Sequence, residues 1–502
     1  MAQRYYTLPI RDASFPMLSD KQGRTIIGGS EAASEGEQEV PSLSFCHNVM
    51  PTLEGLDSVG YNSVIPAVNP AIATMTDARV AHSLERNLIN IAWDTDGRAY
   101  VLEEGDAVWR TLPDTVPPTI LPTFDISDVT MGTVNGITYI LYKGIAAFIY
   151  YESTHTLTEV VLTGITTTAL LGLTASSGYL IAYTEEAIAW SSLITAVDFA
   201  PSQVTGAGGG LISNIQGGIK FILPNSLGIL IYAHANVIAG TFTGNAQYPF
   251  KLREVTSSKG GVSLDLVAYE ANSAAQFTFS QVGLQTVTSK RAELFLPEIT
   301  DFLGGKVFED FDEVTKELTL TDLTATMKKK IKFIGSRYII ISYGISGFTH
   351  ALVYDVGLER LGKLKVDHVD CFEYLKGQTE VSKENIAFLL STGEIKTLDF
   401  STTSTNSNGV VVLGKLQYSR GRNITLQGVD VENIESAASL SVTSLVSLDG
   451  KTTTKTEGVE KYSAEGVRKY AFKVSAVNHS LILIGKFNLN TLFITYNLNG
   501  RR

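Results

Sequence analysis

The amino-acid sequence predicts an all-β chain: a β-propeller-like repeat of antiparallel sheets with an inserted segment, followed by a C-terminal antiparallel β-domain. Three observations predict it. Hairpin signals punctuate the middle of the chain, the units they delimit recur at blade-like spacing, and the last hundred residues alternate apolar with polar side chains.

The hairpins come first. Asn90-Ile-Ala-Trp-Asp94 runs through Thr95-Asp96-Gly97 into Arg98-Ala-Tyr-Val-Leu102. An Asp-Gly between two such runs favours a tight turn, because glycine accepts the positive φ that a hairpin needs. Val134 precedes Asn135-Gly136 and then Ile137 to Tyr142, and Lys143-Gly144 leads into Ala146 to Tyr151. Looser units follow at 170–191, 219–242 and 262–279, and the series resumes at 337–366 and 386–400. The period of roughly 40 to 50 residues is that of propeller blades, and stacked sandwiches are the alternative architecture.

Length and composition bound the rest. A chain of 502 residues needs several core units or one large repeat architecture. Apolar residues make up 44% and charged residues 18%, enough to fold the bulk of it. The domains read as an N-terminal arm over 1–80, blades over 81–293, an insertion over 294–335, final blades over 336–405 and a β-domain over 406–502. The arm lacks periodicity and carries an acidic Gly/Ser patch from Gly28 to Glu39, with anchors such as Leu43, Phe45, Val49 and Tyr61 in its second half. In the insertion, Glu309 to Glu313 precede Lys328-Lys-Lys-Ile-Lys332; acid first and base last suits a helix dipole. The alternating Leu318 to Thr324 argues for a short helix or loop entering a strand. Residues 402–408 read as a linker, and Leu448-Asp449-Gly450 as a turn.

The net charge of -11 argues against broad adhesion to nucleic acid or anionic membrane. It divides unequally: 409–502 holds 12 Lys+Arg and 7 Asp+Glu, a balance of +5, which leaves -16 for 1–408. Cys46 and Cys371 are too few for a disulfide framework and are expected to be buried free thiols. The start of the chain has no signal-peptide pattern, and no apolar run reaches the ~18 residues of a spanning helix. The most apolar stretch, 223–239, is broken by Pro224, Asn225, Gly228, His234 and Asn236.

No catalytic, cofactor or metal constellation emerges. The seven histidines, at 47, 82, 155, 234, 350, 368 and 479, are scattered, and neither HExxH nor zinc spacing occurs. Gly206 to Gly210 lacks the lysine of a phosphate loop, and Gly344 to Gly347 lacks the spacing of a nucleophile elbow. Glu309, Asp310, Asp312 and Glu313 read as a solvated acidic surface, not a calcium loop. The Asp96-Gly97 turn does not recur as sialidase-type boxes do. A glycan hydrolase or a receptor-binding propeller remains as an alternative function, since paired carboxylates need only meet in space. Trp190, Phe199 and Pro201 are expected to pack together at a blade-to-blade junction.

Three segments resemble the tail nozzle (tail tubular) proteins of short-tailed bacteriophages, the podoviruses. The first is Asn48-Val-Met-Pro-Thr-Leu-Glu-Gly-Leu-Asp-Ser-Val-Gly-Tyr61. The second joins Ala189-Trp190-Ser191-Ser192 to Asp198-Phe199-Ala200-Pro201-Ser202 and Thr205 to Gly208. The third is Asn478-His479-Ser480-Leu481 with Gly485-Lys-Phe-Asn-Leu489 and the terminal Gly500-Arg501-Arg502. The resemblance implies a non-enzymatic subunit of the virion tail, made in the host bacterial cytoplasm. It implies a homo-oligomeric, hexameric ring that meets adaptor proteins and tail fibres. The ring closes the DNA channel and passes double-stranded DNA at ejection without reading its sequence. On this resemblance Asn478, His479, Arg501 and Arg502 join Trp190, Phe199 and Pro201 as assembly residues. An acidic lumen would repel the phosphate backbone rather than retard it.

Overall fold

A computed structural model describes residues 3–9, 43–52, 55–65, 74–82, 88–103, 105–112, 125–305, 307–374, 383–401, 407–413, 423–432, 439–447, 453–464, 466–476, 478–489 and 491–498. The Gly28–Glu39 patch, the turn at 448–450, Arg501 and Arg502 lie outside these residues, as does 402–406 of the linker.

The fold is all-β and propeller-like. Five four-stranded antiparallel meanders follow one another as blade 1 (75–111), blade 2 (129–160), blade 3 (172–211), blade 4 (219–254) and blade 5 (267–294). Blade 6 is 328–368, and blade 7 is 370–399 with a fourth strand, Gly60–Ile65, supplied from the other end of the chain. The first strand of blade 7 packs against the first strand of blade 1, so the ring closes on itself. This disposes of stacked sandwiches for the middle of the chain.

Packing explains the ring. The second strands, such as Tyr179–Tyr183 and Gly228–Ala233, are buried on both faces and read as continuous apolar runs. Hydrogen bonds sew neighbours together. Trp93 Nε1 donates to Tyr142 OH at 3.0 Å between blades 1 and 2, and Tyr232 OH donates to Gln276 Oε1 at 2.8 Å between blades 4 and 5. Trp109 Nε1 donates to Gly393 O at 2.8 Å between blades 1 and 7.

The fourth strands of blades 2 to 4 were not marked in the sequence, which showed three per unit; in blade 6 the fourth strand was read at 361–366 and the first was missed. Thr156–Val160, Gly208–Leu211 and Phe250–Glu254 pair on one side only and are largely exposed, so apolar patterning does not mark them. The insertion is also shorter and differently built than expected. The helix is Pro297–Gly304, ahead of the acidic run, and begins with proline in its first turn. The acidic run lies in Val307–Asp312, which pairs antiparallel with Glu317–Asp322. The basic run belongs to Lys328–Ile334, the innermost strand of blade 6. Acid and base therefore sit on two separate strands, not along one helix.

Two five-stranded sheets form a sandwich. One contains Ile424–Glu432, Val459–Ala464, Val467–Ala476 and Thr491–Leu498; the other contains Gly409–Leu413, Leu440–Ser447, Thr453–Glu457 and Asn478–Gly485. Each is completed by an N-terminal strand, Gln3–Pro9 against Thr491–Leu498 and Leu43–His47 against Gly409–Leu413. The C-terminal region thus does not make its sheets alone. Its core of Val411, Leu426, Phe472, Leu483 and Ile494 extends to Cys46, Val49 and Leu56 from the N-terminal segment.

Candidate assembly seam

Residues 43–65 form a strap that joins the sandwich to the propeller. Leu43–His47 lies in the sandwich; Val49–Pro51 and Leu56–Ser58 make a hairpin beside blade 6, with Val49 paired to Lys363; Gly60–Ile65 closes blade 7. The sharp change of direction falls at Asn48, whose φ of 52° suits asparagine better than most residues. Its side chain holds three segments at once. Asn48 Oδ1 accepts from Tyr61 OH and from Lys365 N, each at 2.9 Å, and Nδ2 donates to Asn408 O at 3.2 Å. Gly362 lets the strap approach: a Cβ there would lie 2.7 Å from Val49 O and 2.9 Å from Met50 Sδ.

The sandwich answers from its far end. Ser58 N donates to Phe487 O, and Phe487 N donates to Ser58 Oγ, both at 2.8 Å. The first and third of the three resembling segments therefore meet in a reciprocal pair.

The 307–322 hairpin braces the same seam. Phe311 stacks on Phe45 at 5.6 Å within a cluster that includes Val410, Val412 and Leu445. Lys316 Nζ donates to Thr443 Oγ1 at 2.9 Å and pairs with Glu457, while Lys455 Nζ pairs with Glu317 at 2.7 Å.

Titratable groups gather beneath the brace. His47 Nε2 lies 3.5 Å from Glu313 Oε1, and Asn408 Nδ2 donates to Glu313 Oε2 at 3.0 Å. Lys365 Nζ pairs with Asp310 Oδ1 at 2.6 Å, and His350 Nε2 lies 3.7 Å from the same oxygen. Burial lowers both His47 and His350, the latter to about 4, so the imidazoles stay neutral at pH 7. Burial works against the Asp310 carboxylate, but His350 and Lys365 outweigh it and hold the carboxyl well below its usual range. Lys363 is buried between Phe45, 4.4 Å from its ammonium, and Phe302, at 5.6 Å; burial lowers its pKa. This chemistry serves to hold elements together. Cys46 beside it is pushed up to about 12 by burial.

A second charged cluster closes the ring. Lys330 Nζ of blade 6 lies 2.9 Å from Asp77 Oδ1 of blade 1 and 2.9 Å from Asp370 Oδ2 of blade 7. Lys332 Nζ reaches Asp370 Oδ2 at 3.1 Å, and Ala78 N donates to the same oxygen at 3.0 Å. Burial opposes ionisation of Asp77, but Lys330, Lys332 and Arg79 outweigh it and hold that carboxyl well below the usual range. Asp370, with Asp77 as a second negative neighbour, is raised by burial to about 6. The sequence marked the lysine run but not its role. The available signal was alternation: Lys330 and Lys332, two apart, project to one side of a strand.

The expected assembly residues are dispersed. Trp190 and Phe199 are both buried, but in different clusters. Trp190 packs with blade 4 residues such as Ile222 and Ile231, and Phe199 packs with Leu141 and Ile149 of blade 2. They flank blade 3 on opposite sides rather than sharing one junction, and Pro201 is exposed. The loop 191–207 is pinned by Trp190 Nε1, which donates to Gly206 O at 3.0 Å. Asn478 opens the strand Asn478–Gly485, opposite Ser447. His479 is fully buried in the sandwich, its Nδ1 3.3 Å from Ser444 Oγ. Among the described residues, no three His, Cys, Asp or Glu side chains gather as metal ligands, and no helix is long and apolar enough to cross a membrane.

No family model and no curated protein sequence matches the chain. Solved structures similar to it include propeller domains. The β-propeller domain of Cps50 (Swd1) from Myceliophteria thermophila is 9% identical, covering 68% of this chain and 99% of its own, with a TM-score of 0.40. YCF48 from Cyanidioschyzon merolae is 11% identical over 67% of this chain and 98% of its own, TM-score 0.39. The WD40 propeller domain of Doa1 is 10% identical over 68% and 97%, TM-score 0.37.

Proposed function

We propose that this chain is a structural subunit of a short phage tail, forming the distal nozzle ring that closes the DNA channel and conducts DNA at ejection. It works in the virion by assembly, without catalysis or cofactor. The observation that carries this reading is the pairing of Ser58 with Phe487. Two of the segments that resemble tail nozzle proteins are far apart in sequence, yet they meet where the sandwich is fastened to the propeller. That is what a rigid two-domain building block requires. The seam is also braced by buried aromatic stacking and ion pairs, as a part that bears load would be.

Electron microscopy of the purified full-length chain tests the reading. A closed six-fold ring with an axial channel is the expected result. Monomers or trimers would favour a receptor-binding propeller. Loss of glycan cleavage on alanine substitution of a carboxylate pair would favour a hydrolase.

A further inference from the structure

The N-terminal segment works by adding strands to sheets made elsewhere. Leu43–His47 completes one sheet of the sandwich, Val49–Pro51 lies on the outer strand of blade 6, and Gly60–Ile65 closes blade 7. From Leu43 to Ile65 at most four residues separate one strand from the next. Gln3–Pro9 stands apart from this series, because residues 10–42 lie between it and Leu43.

That length is not needed to reach the slot that Gln3–Pro9 fills. Gln3–Pro9 forms one rim of its sheet and Leu43–His47 one rim of the facing sheet. Leu440–Ser447 and Thr453–Glu457 pack on Val467–Ala476 towards the opposite rim, so Gln3–Pro9 and Leu43–His47 share a rim of the sandwich. Facing sheets lie about 10 Å apart and strands of this size are about 15–25 Å long. A connection of about ten residues would therefore join any pair of their ends. The chain supplies 33 residues. Connections beyond about 12–15 residues are uncommon inside a compact domain and mark a function. Fully extended, 33 residues reach about 110 Å. A compact body of 502 residues is roughly 60 Å across, so the reach extends to an adjoining copy.

The slot itself calls for a strand. Thr491–Leu498 alternates buried Leu492, Ile494 and Tyr496 with half-exposed residues, and Gln3–Pro9 is the strand that covers its outer edge. Left bare, that edge would present a row of unpaired N–H and C=O groups.

We infer that Gln3–Pro9 pairs with Thr491–Leu498 of an adjoining copy, so that each subunit of the ring lends one strand and receives one. The register, from Gln3 opposite Asn497 to Pro9 opposite Thr491, is the same whichever copy supplies the strand. Exchange of an identical element therefore keeps every pairing and turns one of them into a tie between subunits. The tether also holds the strand close to its acceptor, which raises its effective concentration there. The inference rests on the ring reading above and names what links its copies.

The full-length chain carrying Tyr5→Cys and Thr495→Cys tests the exchange. These residues are register partners, and antiparallel partners lie about 4.5–5.5 Å apart, within reach of a disulfide. Cys46 and Cys371 are buried and do not compete. The assembled variant is oxidised mildly and run on a denaturing gel without reductant. A ladder of disulfide-linked oligomers is expected, with none from either single variant. Removal of residues 16–38 from the same variant leaves ten connecting residues, and the ladder is then expected to give way to a disulfide within one chain. An assembled ring that forms only the intrachain disulfide, or none, overturns the exchange and spares the ring. A ladder that survives the shortening comes from collision between chains and overturns the exchange as well. A wild-type chain that never assembles overturns both the exchange and the ring.

Discussion

Lys330 of blade 6 donates to Asp77 of blade 1 at 2.9 Å, and both side chains are buried. The two residues are 253 positions apart, and Asp370 of blade 7 shares the same ammonium. Lys330→Ala leaves two carboxylates without their main counter-charge. Breaking a buried pair from one side costs about 3–5 kcal/mol. Urea denaturation is expected to show a loss of that size, and a loss below about 1 kcal/mol would mean that the cluster is solvated.

His479 gives the sandwich a pH dependence. Burial lowers its folded value to about 4, while an unfolded histidine titrates near ~6.5. Its contribution to stability is therefore complete above about pH 6.5 and is lost as pH falls towards 4. At pH 5 the loss amounts to about 2 kcal/mol relative to neutral pH. His479→Gln cannot take up that proton, so its stability is expected to fall less between pH 7 and 5 by this amount. Parallel slopes for variant and wild type would contradict a neutral buried imidazole.

Trp190 anchors the long loop of blade 3 through its indole and packs on Gly208, where a Cβ would lie 3.0 Å from the ring. Trp190→Ala is expected to cost roughly 3–5 kcal/mol. Trp190→Phe, which keeps most of the area but drops the bond to Gly206 O, should cost roughly 1–3 kcal/mol. Unchanged stability in Trp190→Ala would show that the ring is not part of the core.

Both thiols are buried, and burial pushes each up to about 12. A thiol of that kind is neither ionised nor reachable at pH 8. Ellman titration of the native chain is expected to find no rapid reaction, with two thiols appearing on denaturation. Fast labelling of Cys46 would mean that the seam opens.

The assembled ring should present Asp, Glu and small polar residues of 1–408 to its lumen. The basic excess of 409–502 should face a neighbouring subunit or tail component. A structure of the ring, with lumen residues counted by sign, decides this. A lumen lined mostly by Lys and Arg from Gly409 onward would refute the repulsive channel.

Much of the fold was legible locally. Asn135-Gly136 and Asp96-Gly97 name their turns, because only short-range sterics decide whether a residue accepts a positive φ. The buried second strands announce themselves as apolar runs, and the two cysteines read correctly as buried thiols. The outer strands were not legible, since Phe250–Glu254 is largely exposed, with only Phe250 packing partly against the core, and so shows no apolar pattern. Neither was the seam. Asn48, Ser58 and Phe487 are ordinary residues in ordinary surroundings until the chain brings 58 and 487 together.

Local sequence, then, determined the all-β character and the propeller-like repeat, because turn chemistry and strand patterning act over a few residues. Tertiary structure alone decided that the N-terminal segment lends strands to two domains, and that Lys330 and Lys332 point inward to close a ring. Those outcomes depend on which unpaired edges and which buried charges lie within reach after folding, and distance along the chain carries no record of that.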